Sequence, residues 1–297
     1  MALIKKPVTG MKDIMPEEME IRDYAISVIK KTYADAFIMI YPLLWLLGAT
    51  FRENAEIFSS AGILPKHPVT EGWRNAFTSY GGQISLLKAL RNTYLIAIPK
   101  VILTLLSVTL TAYGFSRFSF TGKKLLTGLL FATLFLPQTV LYVPQFVLFH
   151  RLGWIDSAHY LPLIVPAALA GDTVLVVMLM QFFRSIPRTY DEAARLDGCN
   201  SLQTLHYILI PLLRPVLISV GVLQLLWTVN DYMGPLLYVK TPARYPLSVY
   251  IKLSMDADSG FAWNRVLAVC CIAMLPQILV YFIAQRFMTP ETGGIKE

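Results

Sequence analysis

The sequence predicts an all-α membrane protein: six transmembrane helices, with a capped helical hairpin held outside the bilayer between the fourth and the fifth. Three observations carry that prediction. Of the 297 residues, 55% are hydrophobic and only 15% charged, and the mean hydropathy is +0.54; a typical soluble domain carries about a quarter charged residues. Long runs almost free of charge recur, each approaching the roughly 20 residues that a helix needs to cross about 30 Å of hydrocarbon. None of these runs alternates with the period of two that a membrane β-barrel strand shows, so helices are the reading.

In chain order the apolar runs cover residues 36–51, 94–116, 125–143, 160–183, 215–239 and 266–285. Lys5, Lys6 and Lys12 open the chain, but no apolar segment follows before Ala36, so no cleavable signal peptide is expected. Between Glu17 and Lys31 the residues Ile21, Tyr24, Ala25, Val28 and Ile29 recur at helical spacing. That pattern fits an amphipathic helix, either lying along the membrane surface or packed on the bundle. Residues 1–34 thus read as an N-terminal cytoplasmic segment, 35–288 as the six-helix domain and 289–297 as a short cytoplasmic tail. With an even number of spans both termini share one side with residues 117–124 and with the hairpin, residues 184–214. That side holds fifteen of the 26 Lys and Arg residues, which makes it cytoplasmic by the positive-inside rule.

The hairpin has the clearest local signals. Thr189-Tyr190-Asp191-Glu192 has the form of a capping box, in which the threonine oxygen takes an orphan N–H and Glu192 reaches back to the cap. Ala193, Ala194 and Leu196 give the helix a small, approachable surface, and Gly198 can turn left-handed to stop it. Asn200 or Ser201 can cap a second helix with Leu202, Leu205 and Ile208 along its apolar side. Pro211 is expected to end that helix, and Pro215 to sit in the first turn of the next span.

Other chemistries find little support. Cys199, Cys270 and Cys271 form no C-x-x-C pair, and the four histidines have no ligand-like spacing, so neither a metal site nor a disulfide framework is expected. Gly122-Lys123-Lys124 lacks the upstream glycine and the hydroxyl residue of a P-loop. No Ser/His/Asp, Cys/His or paired-carboxylate constellation shares a span, which argues against an enzyme. No nucleic-acid partner is expected.

The pattern Glu192-Ala193-Ala194, three residues, Gly198, nine residues, Ile208, one residue, Ile210-Pro211 resembles the EAA loop of permease subunits in binding-protein-dependent ABC importers, with Ile210 where that loop has leucine. Asn92-Thr93-Tyr94, Ala112-Tyr113-Gly114-Phe115-Ser116-Arg117 and Trp227-Thr228-Val229-Asn230-Asp231-Tyr232 are similar to the carbohydrate-uptake branch, the maltose-type second permease. The likeness extends from about Ala34 to Met288. It implies a multi-pass protein of the bacterial inner membrane that forms half of a pathway for ATP-driven carbohydrate uptake. The implied partners are a second permease subunit in a heterodimer, two cytoplasmic ATPase subunits that use ATP and Mg, and a solute-binding protein; this chain itself binds no cofactor and has no catalytic residue. In the family the first helix of the loop sits in a cleft of the ATPase. Glu192, Ala193, Ala194, Asp197, Gly198, Ile208 and Pro211 are therefore the candidate coupling positions.

Charged groups inside hydrocarbon are costly, so Lys100, Asp172 and Asp231 mark places where water or partner helices are expected. Gln224, Trp227 and Asp231 fall near one helical face, with Asn230 and Tyr232 beside them. An aromatic and hydrogen-bonding stripe of this kind suits sugar rings, and these five are the candidate translocation cavity; the same residues can equally serve as glue between helices. Pro137, Pro144, Pro162, Pro166, Pro235 and Pro276 are expected to kink or interrupt their helices. The stretch from Arg52 to Thr93, rich in Gly and Pro and carrying Trp73, Phe77 and Tyr80, is the expected contact for the solute-binding protein. Outside and at span edges eleven basic residues face eight acidic ones, an excess that would help an acidic oligosaccharide such as a uronate oligomer, alginate for example. The competing readings are an importer permease for a non-sugar small solute, an ion-coupled secondary transporter, whose usual internal repeats are not found, and a non-transporting scaffold.

Overall fold

In a computed structural model of the chain, residues 21–59, 61–79, 83–255 and 262–288 are described, and every regular element among them is helical. The order is α1 (Ile21–Ala49), α2 (Glu71–Ala76), α3 (Leu86–Arg117), α4 (Lys123–Thr133), α5 (Gln138–Arg151), α6 (Leu161–Ile164), α7 (Thr173–Ser185), α8 (Thr189–Leu196), α9 (Ser201–Thr204), α10 (Ile210–Leu212), α11 (Arg214–Asn230), α12 (Met233–Tyr238), α13 (Leu247–Leu253) and α14 (Trp263–Met288). Short 3-10 turns cover Val165–Leu169 and Pro242–Arg244, and a π-turn covers Leu205–Leu209. Residues 17–20 of the expected amphipathic helix, Tyr80 and the tail from 289 lie outside the described residues.

Among the described residues four stretches are long and apolar enough to cross a membrane: Lys30–Ala49, Leu86–Arg117, Leu161–Ser185 and Trp263–Met288. Two bent pairs join them if each is one span, Lys123–Thr133 with Gln138–Arg151 at 106° and Ser201–Leu212 with Arg214–Asn230 at 81°. Three of the six runs read as single helices are therefore broken. In the third run the chain turns at Leu134 and re-enters a helix after Pro137, which holds extended backbone at the N-cap of α5; a proline disfavours helical backbone in the residue before it. The fourth run passes through a 3-10 turn containing Pro166 and then Ala170, whose φ of 53° is left-handed, before α7 begins. The fifth run leaves the helix at Asp231 and resumes as α12, with Pro235 in a first turn where no N–H is needed.

The chain divides into two compact units, 1–70 and 71–297. In the first, the loop after α1 folds back on the helix end. Buried Arg52 donates to the carbonyls of Gly62 and Leu64, the Tyr41 hydroxyl donates to Ala61 O, and the Val69 N–H reaches Phe51 O at 2.8 Å. A Cβ on Gly48 would stand 1.8 Å from the carbonyl oxygen of Ile63, so only glycine permits this approach.

The second unit is organised along α3, which starts eight residues before its apolar run because the Ser85 Oγ accepts from the Lys88 N–H and Leu86 and Ala89 are buried. Near one end of α3, Ala76, Ala89, Leu247, Tyr250, Ala268 and Val269 form one core. Near the other, Val108, Ala112 and Tyr113 pack with Leu175, Leu179 and Phe183 of α7 and with Leu205, Leu209 and Leu213. α3, α7 and α11 thus share a buried seam, and it is this seam that holds the hairpin and the cavity described next.

Candidate functional site

The hairpin is built from α8 and α9. Gly198 has φ of 83°, the Cys199 N–H returns to Ala194 O at 2.9 Å and the Gly198 N–H to Arg195 O at 3.1 Å, the paired bonds of a Schellman stop. Asn200 caps α9 with a complete capping box: its side chain accepts from the Gln203 N–H at 2.9 Å, and the Gln203 side chain accepts from the Asn200 N–H at 2.8 Å. The box expected at Thr189 does not form. The N-cap of α8 is Arg188, without a side-chain bond, so Thr189 is already helical and cannot cap. Nor does Pro211 end the second helix. It lies inside α10 beyond the π-turn, and the break falls at Leu213. The π-turn also shifts the buried face, so that Leu205, Leu209 and Leu213 enter the core while Ile208 is only half-buried and Leu202 is exposed.

Of the candidate coupling residues, Ala194 is fully buried beneath the hairpin, and Glu192, Ala193, Asp197, Gly198 and Pro211 are exposed. Tyr190, Leu196, Leu202 and Tyr207 are exposed around them, Leu196 at 89%. A cleft of about 260 Å³ lies where the hairpin meets the end of α3, with Arg117, Arg188, Asp191, Glu192 and Arg195 among its lining.

The second feature is a cavity of about 860 Å³ between α3, α5, the turn before α7, α11 and α12. Gln224, Trp227, Asn230 and Asp231 line it, together with Lys100 and Asp172. Asp231 is not on the face of α11, as its spacing implied. It lies just past the helix end with extended backbone, and its Oδ1 accepts from the Gly234 N–H at 3.0 Å to start α12. Tyr232 is not among the lining residues, because the break after Asn230 turns the chain away from the helical register. Gln224 is 1% exposed, and its Oε1 has no hydrogen-bond partner among the described residues while its Nε2 meets the Thr228 hydroxyl at 3.4 Å. Trp227 is 44% exposed. The opposite wall was missed from sequence: Gln138, Tyr142 and Gln145 on α5, with the Tyr238 hydroxyl donating to Gln145 Oε1 at 3.3 Å. Their i, i+4, i+7 spacing is a polar stripe in an apolar run and was the available signal.

An exposed, capped hairpin at one end of an apolar helical bundle, with a polar cavity opening between the same helices, is the architecture of a polytopic membrane protein. The family described as binding-protein-dependent transport system inner membrane component matches residues 104–293. The galactooligosaccharides transport system permease protein GanQ of Bacillus subtilis (strain 168) is 30% identical over 263 residues, 87% of this chain and 90% of that protein. The sulfoquinovosyl glycerol transport system permease protein SmoH of Agrobacterium fabrum is 27% identical, over 86% of this chain and 89% of its own. A chain of a crystal structure of a bacterial ABC transporter involved in the import of the acidic polysaccharide alginate superposes with a TM-score of 0.74 at 21% identity, covering 92% of this chain and all of that one. The chain belongs to the family of inner-membrane components of binding-protein-dependent transport systems.

Proposed function

We propose that this chain is the transmembrane permease subunit of an ABC importer for a carbohydrate, in particular an oligosaccharide, and forms half of the pathway with a second permease. Membership of the family carries the importer, and the names of its relatives support the cargo: galactooligosaccharides for GanQ, starch degradation products for AmyC of Thermoanaerobacterium thermosulfurigenes and diacetylchitobiose for NgcG of Streptomyces coelicolor. Six spans follow if α4 and α5 together cross once and α11 crosses on its own, with α9 and α10 before the bend at Leu213 left outside the bilayer. The membrane domain then covers 35–288, and both termini and the hairpin face the cytoplasm.

In this reading ATP and Mg are used by two ATPase subunits, and the hairpin docks in one of them through Glu192, Ala193, Gly198 and the exposed Leu196. A solute-binding protein delivers the sugar on the other side. In the cavity, the Trp227 face stacks on a ring and Asn230, Asp231, Lys100 and Asp172 bind hydroxyls, with Gln224, 1% exposed, in the wall behind them. One cation and two carboxylates on this half of the wall serve a neutral sugar as readily as an acidic one. The experiment is reconstitution with the neighbouring subunits in proteoliposomes, comparing binding protein loaded with neutral and with uronate oligosaccharides. Stimulated ATP hydrolysis with uptake is expected. Uptake driven by an ion gradient without ATP would overturn the reading.

A further inference from the structure

The hairpin is joined to the membrane helices by its own chain through α7 and α11, but a third connection has no covalent counterpart. The last turns of α3 hold both hairpin helices at once. Arg117 Nη2 donates to the Ile186 carbonyl just before α8 at 2.9 Å, and its Nε stands 3.2 Å from Asp191 Oδ2 within α8. The two side chains are only 7% and 16% exposed, so this ion pair is shielded from the solvent screening that makes surface pairs weak. One turn earlier the Tyr113 hydroxyl donates to Ser201 O, the first residue of α9, at 3.0 Å, with its ring held against Phe118 and Phe183. The Ser116 hydroxyl donates to Met180 O of α7 at 3.3 Å.

The same helix carries Lys100 into the wall of the cavity. At 1.5 Å per residue, Lys100 and Arg117 are about 25 Å apart along one axis. A helix held by intact backbone hydrogen bonds moves as a rod over that distance, and Pro99 lies on the far side of Lys100, so no proline interrupts the segment between Lys100 and Arg117. A displacement of the hairpin therefore reaches Lys100 without passing through the bend at Leu213 or the extended backbone at Ile186, where the covalent routes leave α11 and α7.

We infer that Tyr113 and Arg117 are positioning residues that couple the hairpin to the cavity through α3, with Asp191 and the Ser201 carbonyl as their partners. This rests on the importer reading above and adds a transmission route to it. The rival role for these contacts is purely architectural, in which they fix the hairpin during assembly and carry no motion.

The test uses the complete importer in proteoliposomes, with wild type, Tyr113→Phe, Arg117→Gln, and the exchanged pair Arg117→Asp with Asp191→Arg. Complex yield, basal ATP hydrolysis, stimulation by loaded binding protein and sugar moved per ATP are each measured. Tyr113→Phe removes one hydroxyl and keeps the ring. It is expected to assemble and to keep basal hydrolysis while sugar moved per ATP falls about tenfold, within the usual range of coupling between sites. Arg117→Gln is expected to lose more, and the exchanged pair to regain part of that loss. Unchanged sugar per ATP in assembled Tyr113→Phe overturns the inference, as does a loss of yield and basal hydrolysis in step with transport across all three variants. If wild type itself shows no stimulation by binding protein, it is the importer reading that fails.

Discussion

Gly198 shows how a single backbone angle can set a functional surface. Apart from its chain neighbours, no described residue lies within 4 Å of a Cβ built on it, and its φ is 83°, so the requirement there is conformational. Gly198→Ala is expected to cost about 1–2 kcal/mol in the hairpin, the usual penalty of left-handed backbone, and to leave partial uptake. A bulky replacement such as Gly198→Trp adds obstruction at the same point and is expected to abolish ATP-coupled uptake in the reconstituted importer. Equal activity of the two variants would mean that no partner approaches this position. Asp231 gives a second pair of outcomes. A Cβ on Gly234 would stand 2.5 Å from its Oδ2, so the carboxylate is held tightly over the start of α12. Asp231→Asn keeps an acceptor for the Gly234 N–H, whereas Asp231→Ala removes a cap worth about 1 kcal/mol. If the Asn variant transports like wild type and the Ala variant does not, the role is to cap; loss in both assigns it to the charge in the cavity.

Among the elements, α9 depends on its capping box, and Asn200→Ala is expected to lower stability by about 1 kcal/mol, seen as a fall in the melting temperature of the purified protein. The sequence displayed the hairpin clearly, because Gly198, Asn200 and Gln203 act through bonds to their own near neighbours. The box at Thr189 does not form because the helix starts one residue early, after Arg188, whose side chain has no acceptor to cap it. The π-turn left no signal in composition, since it comes from seating Leu205, Leu209 and Leu213 together against α3 and α7. The same holds for the clamp between residues 152–160 and 239–246. Asp156, itself left-handed with φ of 55°, accepts from the N–H groups of Lys240 and Thr241 and from the Thr241 hydroxyl, and faces Arg244 at 3.5 Å. Burial alone would raise its carboxyl, but the bonds from Thr241 and Lys240 and the Arg244 guanidinium outweigh it and hold the group below the ordinary value of 3.8. Because the folded value is the lower one, the clamp's contribution is fully present above 3.8 and is lost as the pH falls through the depressed value. Melting temperatures measured down to that range are expected to fall more steeply in wild type than in Asp156→Asn.

For the whole molecule, the bundle and the hairpin were legible in the sequence while the cavity was legible only in part. Hydropathy reports which residues leave water, and it located the apolar runs; it does not report where a run bends. Gln224, Trp227 and Asn230 share a wall along α11, Asp231 joins them from just past its end, and the facing stripe of Gln138, Tyr142 and Gln145 lies on α5 beyond the 106° bend from α4. Half of a pathway built this way should pay for sugar contacts at its polar wall and nowhere else. Gln224→Ala and Trp227→Ala are each expected to raise the sugar concentration needed for half-maximal uptake about tenfold, the size of a contact worth roughly 1.4 kcal/mol, with complex yield and basal ATP hydrolysis unchanged. Leu110→Ala, at an exposed apolar position on the same α3 that carries Lys100, serves as the control and is expected to leave uptake as it is. Wild-type uptake in both wall variants would assign Gln224 and Trp227 to holding helices together, and the cavity would then have to be formed by the second permease alone.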